Sequence, residues 1–136
     1  MERVSENPGF SLVDALGAAE GASSECLTLY IPSKDSAGND FEQRPWVEEA
    51  LDLLSGIGGG ATVLPPAARA WLNPETGALI REDVVLAYTY VDPDKFEASL
   101  GMLREFTHRL GRETRQGEVA VEFAGRLYKI RQYDRG

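Results

Sequence analysis

The sequence is poor in the residues that build metal sites and disulfides. Its 136 residues include one cysteine, Cys26, and one histidine, His108. A single cysteine forms no intramolecular disulfide, and one cysteine with one histidine cannot supply the four ligands of a structural zinc site. We therefore expect no metal and no cofactor, and a reducing, cytoplasmic setting.

Long apolar runs are absent as well. No stretch approaches the roughly 18 apolar residues that cross a bilayer, and residues 1–25 lack the basic and then apolar pattern of a secretory signal. The sequence therefore predicts no membrane association. The 43% hydrophobic and 26% charged residues are ordinary for a globular protein. We expect a flexible arm over residues 1–25 and a single domain over residues 26–136.

Basic side chains are scarce in the first half of the chain. Residues 1–60 contain 11 acidic and 3 basic residues, whereas residues 61–136 contain 11 of each, for a net charge of −8. Nucleic-acid binding depends mainly on basic residues that face phosphates. This distribution disfavours a nucleic-acid partner and suits a partner with a basic surface.

Hydrophobic periodicity predicts four main strands, a short fifth and two helices. Residues 26–31 and 118–123 alternate, and residues 79–91 are almost continuously apolar, as in a strand buried on both faces. Pro65-Pro66 interrupt the segment 61–73, which favours an edge strand because proline donates no ladder hydrogen bond. Apolar residues at helical spacing predict helices that begin at Pro45 and Pro93, and residues 127–130 form a short last strand.

The order β-α-β-β-α-β predicts an α+β, ferredoxin-like sandwich with an extra short C-terminal strand. In that arrangement the first and third strands are central and the second is an edge. The positions of the proline pair and of the most apolar strand agree with this. Alternation then places Tyr30, Tyr88 and Tyr90 on the sheet face away from the helices. That face can stack nucleic-acid bases, or it can be covered by the N-terminal arm or a second subunit.

A second candidate region is the polar run 108–118. On the predicted helix, His108 and Arg112 fall opposite the apolar stripe, and together with Arg104, Arg109 and Arg115 they can bind an anion or an acidic surface. Acid–base catalysis would pair His108 with Glu105 or Glu113. The same residues also fit a solvated helix face with weak ion pairs.

Two strings, residues 59–66 and 110–119, resemble stretches of a family of short, uncharacterised bacterial proteins. The resemblance covers about residues 26–133 and implies a bacterial or phage origin, but it implies no activity. If the polar residues of the second string are a family signature, they form either a special turn or a site.

Two functions remain open on this basis. The first is a small cytoplasmic binding or regulatory protein that acts as a homodimer or through a protein partner, with Tyr30, Tyr88 and Tyr90 at the interface. The alternative is a small enzyme, and its predicted site residues are His108, Arg112, Glu113, Glu118 and Tyr128. A site requires these five side chains to converge on one pocket.

Overall fold

A computed structural model describes residues 11–19 and 24–136. The elements in chain order are α1 Leu12–Leu16, β1 Glu25–Pro32, α2 Arg44–Gly58, β2 Thr62–Val63, β3 Ala67–Leu72, β4 Leu79–Val91, α3 Pro93–Ala98, α4 Leu100–Glu113, β5 Val119–Phe123 and β6 Arg126–Ile130. The predicted arm 1–25 lies largely outside the described residues. Its division from a domain over 26–136 therefore stays a prediction.

The strands form one antiparallel sheet in the order β2-β4-β1-β5-β6, and β3 also pairs with β4. This is the predicted ferredoxin-like order, with β1 and β4 in the centre and a short β6 added beyond β5. Pro65 and Pro66 separate β2 from β3, and both pieces pair with the same edge of β4. The proline pair thus interrupts the edge strand as expected, since neither residue can donate a ladder hydrogen bond.

The core lies between the sheet and the helices α2 and α4. Leu27, Leu29 and Ile31 of β1 are at most 1% exposed, and they pack with Leu54 of α2 and Phe106 of α4. Burying side chains of this size stabilises the fold by about 1.5–3 kcal/mol each. Alternate residues of the same strands point to the other face of the sheet.

Charged side chains join the two helices over the core. Arg109 of α4 pairs with Glu49 of α2 and with Glu105 one turn earlier. Its guanidinium also lies 5.2 Å from the ring centroid of Trp46 and 5.8 Å from that of Phe106. These carboxylates raise the pKa of Arg109. The residue therefore holds α2 against α4 rather than remaining free for a ligand.

One prediction about the helices was wrong. The segment after Asp92 forms two helices, α3 and α4, instead of one. Asp92 caps α3 as expected by accepting a hydrogen bond from the Lys95 N–H at 2.9 Å. Ser99, with φ −98° and ψ 0°, forms a turn between the two helices, and its hydroxyl donates to the Lys95 carbonyl at 2.7 Å. A serine that bonds the preceding turn in this way competes with continuation of the helix.

The last hairpin follows its predicted turn. Ala124 and Gly125 both have positive φ values, 54° and 78°, which is the geometry that matches the twist of two antiparallel strands. In the described part of the chain, no helix is long and apolar enough to cross a membrane.

Candidate functional site

The open face of the sheet is the face that α2 and α4 leave uncovered. The strand register assigns alternate residues of each strand to it. The open face includes Cys26, Thr28, Tyr30, Thr62, Ala67, Arg69, Trp71, Ile80, Glu82, Val84, Leu86, Tyr88, Tyr90, Glu118, Ala120, Glu122, Leu127 and Lys129. The tyrosines Tyr30, Tyr88 and Tyr90 thus share one face, as alternation predicts, while their role as an interface stays a prediction.

The three tyrosines differ in their surroundings. Tyr90 is 61% exposed, and its ring meets that of Tyr88 edge to face at 6.1 Å between centroids. Tyr30 is half-buried, and its hydroxyl donates a 2.8 Å hydrogen bond to Glu122 Oε1. Burial and this hydrogen bond raise the pKa of Tyr30 above its usual value of 10.0. The phenol of Tyr30 is therefore held neutral as a fixed donor.

A shallow depression, the open-face groove, crosses this surface between β3 and β6. Its volume is about 490 Å³, and its walls include Trp71, Leu86 and Leu127. Its lining also contains Arg69, Glu118 and Lys129, and Glu118 pairs with Lys129 at 3.9 Å and with Arg131 at 3.3 Å. Apolar walls with a few polar groups are typical of sites that orient a small ligand.

The predicted position of His108 was wrong, because the residue is buried rather than on the solvent side of the helix. Its side chain is only 9% exposed, since the chain that follows β6 folds back over α4. His108 Nδ1 accepts a 2.7 Å hydrogen bond from the Asp134 N–H, and the Tyr133 ring packs edge-on against it. Arg104 binds the Asp134 carboxylate through two nitrogens and lowers its pKa. This cluster anchors the C-terminal segment.

The other four residues of the predicted enzyme site do not join His108 in one pocket. Arg112 donates a hydrogen bond to the Asp134 carbonyl and so also holds the C-terminal segment in place. Its guanidinium Nη2 lies 3.7 Å from Glu113 Oε2. Glu118 lines the open-face groove, whereas His108 lines a different depression between α4 and the strands β5 and β6. Tyr128 belongs to the helix side of β6, since its partner in the register is Val121. The enzyme hypothesis requires all five side chains to line one pocket, and in the structure they do not.

Of the five, His108 and Tyr128 line a common depression. This helix-face groove lies between α4 and the strands β5 and β6, has a volume of about 490 Å³, and is walled by Phe96, Leu103 and Phe123. Its lining is almost entirely apolar, and His108 already uses Nδ1 for the Asp134 N–H. The groove offers contact area but little polar chemistry.

A third depression was missed by sequence reasoning. The hairpin-base cleft, of about 710 Å³, lies where the β3–β4 hairpin extends beyond the end of β1. It is lined by Ser33, Lys34, Asp40, Phe41, Gln43, Ala68, Arg69, Ala70, Arg81, Glu82 and Asp83. The only signal in the sequence was the charged triplet Arg81-Glu82-Asp83 inside an otherwise apolar strand. Without the register, its neighbours were not predictable.

Glu82 is the most buried charged group of the cleft, with a side chain 7% exposed. Its Oε1 accepts hydrogen bonds from the Ser33 and Lys34 N–H groups, each at 3.3 Å. Its Oε2 lies 3.9 Å from Arg69 Nε, beyond hydrogen-bond distance. Gln116 supports the loop from the other side by donating to the Lys34 carbonyl at 2.9 Å.

No protein-family model and no curated protein matches the sequence. The fold, however, matches solved structures. A phage SAM lyase in complex with S-methyl-5'-thioadenosine superposes with a TM-score of 0.60 at 15% identity, over 82% of this chain and 92% of that chain. A phage SAM lyase in the apo state gives a TM-score of 0.56 at 14% identity, over 86% and 97% of the two chains.

CutA from Synechococcus elongatus PCC7942 gives a TM-score of 0.43 at 14% identity, over 67% of this chain and 72% of that chain. Identities this low show a shared fold and nothing about activity. The two phage proteins match over nearly their whole length, so the likeness to them extends to the complete α+β architecture.

Proposed function

We propose that this chain is a small binding protein whose copies associate through the open face of the sheet. The observation that carries the proposal is that helices cover only one face of the sheet. The helices α2 and α4 bury the other face, whereas Tyr90 and Leu127 remain 61% and 53% exposed on the open face. Exposed apolar side chains that share one sheet face are typical of an interaction surface.

The charges of the open face support a second copy of the same chain as the partner. Acidic Glu118 lies on the same surface as basic Lys129 and Arg69. In a two-fold symmetric contact each patch meets its own counterpart on the other copy, so a surface that carries both signs can complement itself. Two such sheets pack face to face at about 10 Å, a distance that the aromatic side chains can fill.

Sedimentation velocity over a range of protein concentrations tests this proposal. We expect the wild-type chain to sediment as a dimer or larger oligomer, and Leu127→Glu to shift it to monomer because a carboxylate would enter the contact. Met102→Glu is the matched control, since Met102 is 55% exposed on α4, away from the open face. A wild-type chain that remains monomeric at every concentration contradicts the proposal.

A second candidate is an enzyme that binds a ligand of the S-adenosylmethionine type in the open-face groove. The groove volume of about 490 Å³ suits a ligand of nucleoside size, and the indole of Trp71 at its wall can stack on a base. The whole-length likeness to phage SAM lyases motivates the choice of ligand.

Chromatography of the products tests this candidate directly. After incubation with S-adenosylmethionine we expect S-methyl-5'-thioadenosine to form, because the carboxylate of the amino-acid chain can displace the sulfonium, and that chain then leaves as homoserine lactone. Trp71→Ala should weaken binding of the substrate. Leu72→Ala, an exposed change on the same strand, is the control; Trp46→Ala does not serve, because the partly buried Trp46 packs against the core. If the folded protein neither converts nor binds S-adenosylmethionine, the candidate is rejected, and self-association remains to be judged from the sedimentation data.

A further inference from the structure

We propose that the hairpin-base cleft binds the zwitterionic head group of a free α-amino acid. The inference rests on the charges that line the cleft, and it depends on neither function proposed above. The lining contains three basic residues, Lys34, Arg69 and Arg81, and three acidic ones, Asp40, Glu82 and Asp83. The lining is therefore neutral overall, so a ligand with one charge of each sign fits it better than a simple anion or cation.

Two of these side chains have no ion-pair partner in the described part of the chain. In the residues that the structure describes, Arg81 and Asp83 form no ion pair, although Lys34 pairs with Asp40 at 2.9 Å and Arg69 approaches Glu82. They are alternate residues of β4, about 7 Å apart along the strand and on the same side of it. The guanidinium of Arg81 can hold a carboxylate through two parallel hydrogen bonds, and the carboxylate of Asp83 can accept from an ammonium.

Glu82 shapes the edge of the cleft and does not itself meet the ligand. It leaves β4 on the opposite side from Arg81 and Asp83, yet it lines the same cleft at the edge of the strand. Its Oε1 accepts hydrogen bonds from the Ser33 and Lys34 N–H groups, and Arg69 Nε lies 3.9 Å from its Oε2. In the described part of the chain no buried side-chain oxygen lacks a hydrogen-bond partner. Glu82 therefore holds the loop beside the cleft, and Arg81 and Asp83 are the charges left for the ligand.

The floor and wall of the cleft indicate what kind of side chain the amino acid carries. Ala68 and Ala70 of β3 lie opposite Asp83 and Arg81 in the register, and their methyl groups leave room above the strand. Phe41, half-buried, closes one side. An unbranched apolar chain such as that of methionine can lie along this surface, so L-methionine is a suitable probe.

The backbone of β4 offers further partners at the same place. The pairing of β1 with β4 ends at Pro32 and Val84, so in the described structure residues 79–83 pair with β3 alone. The edge that faces the cleft presents backbone N–H and C=O groups with no strand beside them. Such an edge readily accepts the polar groups of an extended ligand.

A two-dimensional ¹H–¹⁵N NMR titration with L-methionine tests the proposal. We expect shifts confined to amides around the cleft, among them those of Lys34, Phe41 and Ala70. L-methioninol, which lacks the carboxylate, and N-acetyl-L-methionine, which lacks the ammonium, should each bind at least about tenfold more weakly, as expected for loss of a charge-assisted hydrogen bond.

Two variants test recognition of the carboxylate and of the ammonium separately. Arg81→Gln should weaken L-methionine but leave L-methioninol unchanged, whereas Asp83→Asn should weaken L-methionine but leave N-acetyl-L-methionine unchanged. Both residues are exposed, so the variants should fold, and their spectra report this directly. Glu75→Gln, in the exposed turn of the same hairpin, is the matched control. The proposal is overturned if L-methionine causes no shifts up to its solubility limit, or if all three compounds bind alike.

Discussion

The two faces of the sheet are built from the same strands, yet they differ in composition. On β1, Leu27, Leu29 and Ile31 face the helices and are essentially inaccessible, whereas Thr28 and Tyr30 between them face the open side and carry polar groups. Where α2 and α4 cover it, the helix face packs aliphatic and aromatic side chains of β1, β4 and β5 against those of the two helices. Its composition is explained by packing alone.

The open face is not explained by packing alone. It combines aromatic side chains with acids and bases, including the Tyr30–Glu122 hydrogen bond and the Glu118 ion pairs. A surface that needed only to be soluble would not require exposed aromatic rings such as those of Trp71 and Tyr90. The contrast indicates that one face of the sheet stabilises the fold and the other is available for recognition. The proposed contact between copies lies on this second, open face.

The largest expected effect separates the two faces by their contribution to stability. Leu29→Ala removes a leucine that is 1% exposed, and we expect it to lower the free energy of unfolding by about 2–5 kcal/mol because a cavity remains. Leu127→Ala, on the open face, should lower it by no more than about 0.5 kcal/mol in the monomer. Urea unfolding monitored by circular dichroism measures both.

Unfolding of the Leu127→Ala variant at several protein concentrations can also show whether the distinction between the two faces is wrong. If Leu127→Ala destabilises the protein strongly at high concentration and hardly at all at low concentration, the open face is covered by a second copy. If it destabilises equally at every concentration, the open face is part of the monomer's core, and the distinction between the faces is wrong.

A smaller effect tests how closely the helices approach the sheet. Gly58, near the end of α2, lies so close to β4 that an added Cβ would clash with the Thr89 side chain and lie 2.8 Å from the Tyr90 carbonyl oxygen. Since the backbone of a central strand cannot easily move, Gly58→Ala should lower the free energy of unfolding by about 1–3 kcal/mol.

Gly56 is the matched control for this substitution. It lies in the same helix, and a methyl group added there would meet no atom within 4 Å. Gly56→Ala should therefore raise stability by about 0.5–1 kcal/mol through helix propensity. Thermal unfolding of the two variants should move in opposite directions. Equal shifts would mean that α2 does not contact the sheet as closely as described.

The strand order was predictable because its causes are local. Pro65 and Pro66 exclude a central position for their strand, and the apolar run 84–91 requires a central one. The alternation on β1 and β4 likewise predicts that Tyr30, Tyr88 and Tyr90 share one face. These rules act on neighbouring residues and can therefore be recognised in the sequence.

Features that depend on distant contacts were not predictable. By helical periodicity His108 is a surface residue, and only the fold-back of Tyr133 and Asp134 buries it, although Asp134 lies 26 residues later in the chain. The hairpin-base cleft likewise needs the register that brings Ala68 opposite Asp83, together with the loop that contains Phe41. The residue pattern within β3 or β4 alone does not predict that these residues come together.

The smallest expected effect concerns the polar chemistry of the open face. Tyr30→Phe removes the hydrogen bond to Glu122 and should lower the free energy of unfolding by about 0.5–1.5 kcal/mol at neutral pH. Tyr128→Phe is the matched control on the helix side of β6. That tyrosine is half exposed, and the change should stay within about 0.5 kcal/mol.

The difference between wild type and Tyr30→Phe should depend on pH in a defined direction. The pKa of Tyr30 is raised in the folded state above 10.0, so the fold favours the neutral phenol. Its contribution is complete below pH 10 and is lost as the pH rises from there through the folded pKa, because the unfolded chain ionises first. Urea unfolding at neutral pH and at several values above pH 10 measures this loss. If the two proteins differ equally at all these values, the fold does not raise the pKa of Tyr30, and the burial and hydrogen bonding described for this phenol are wrong.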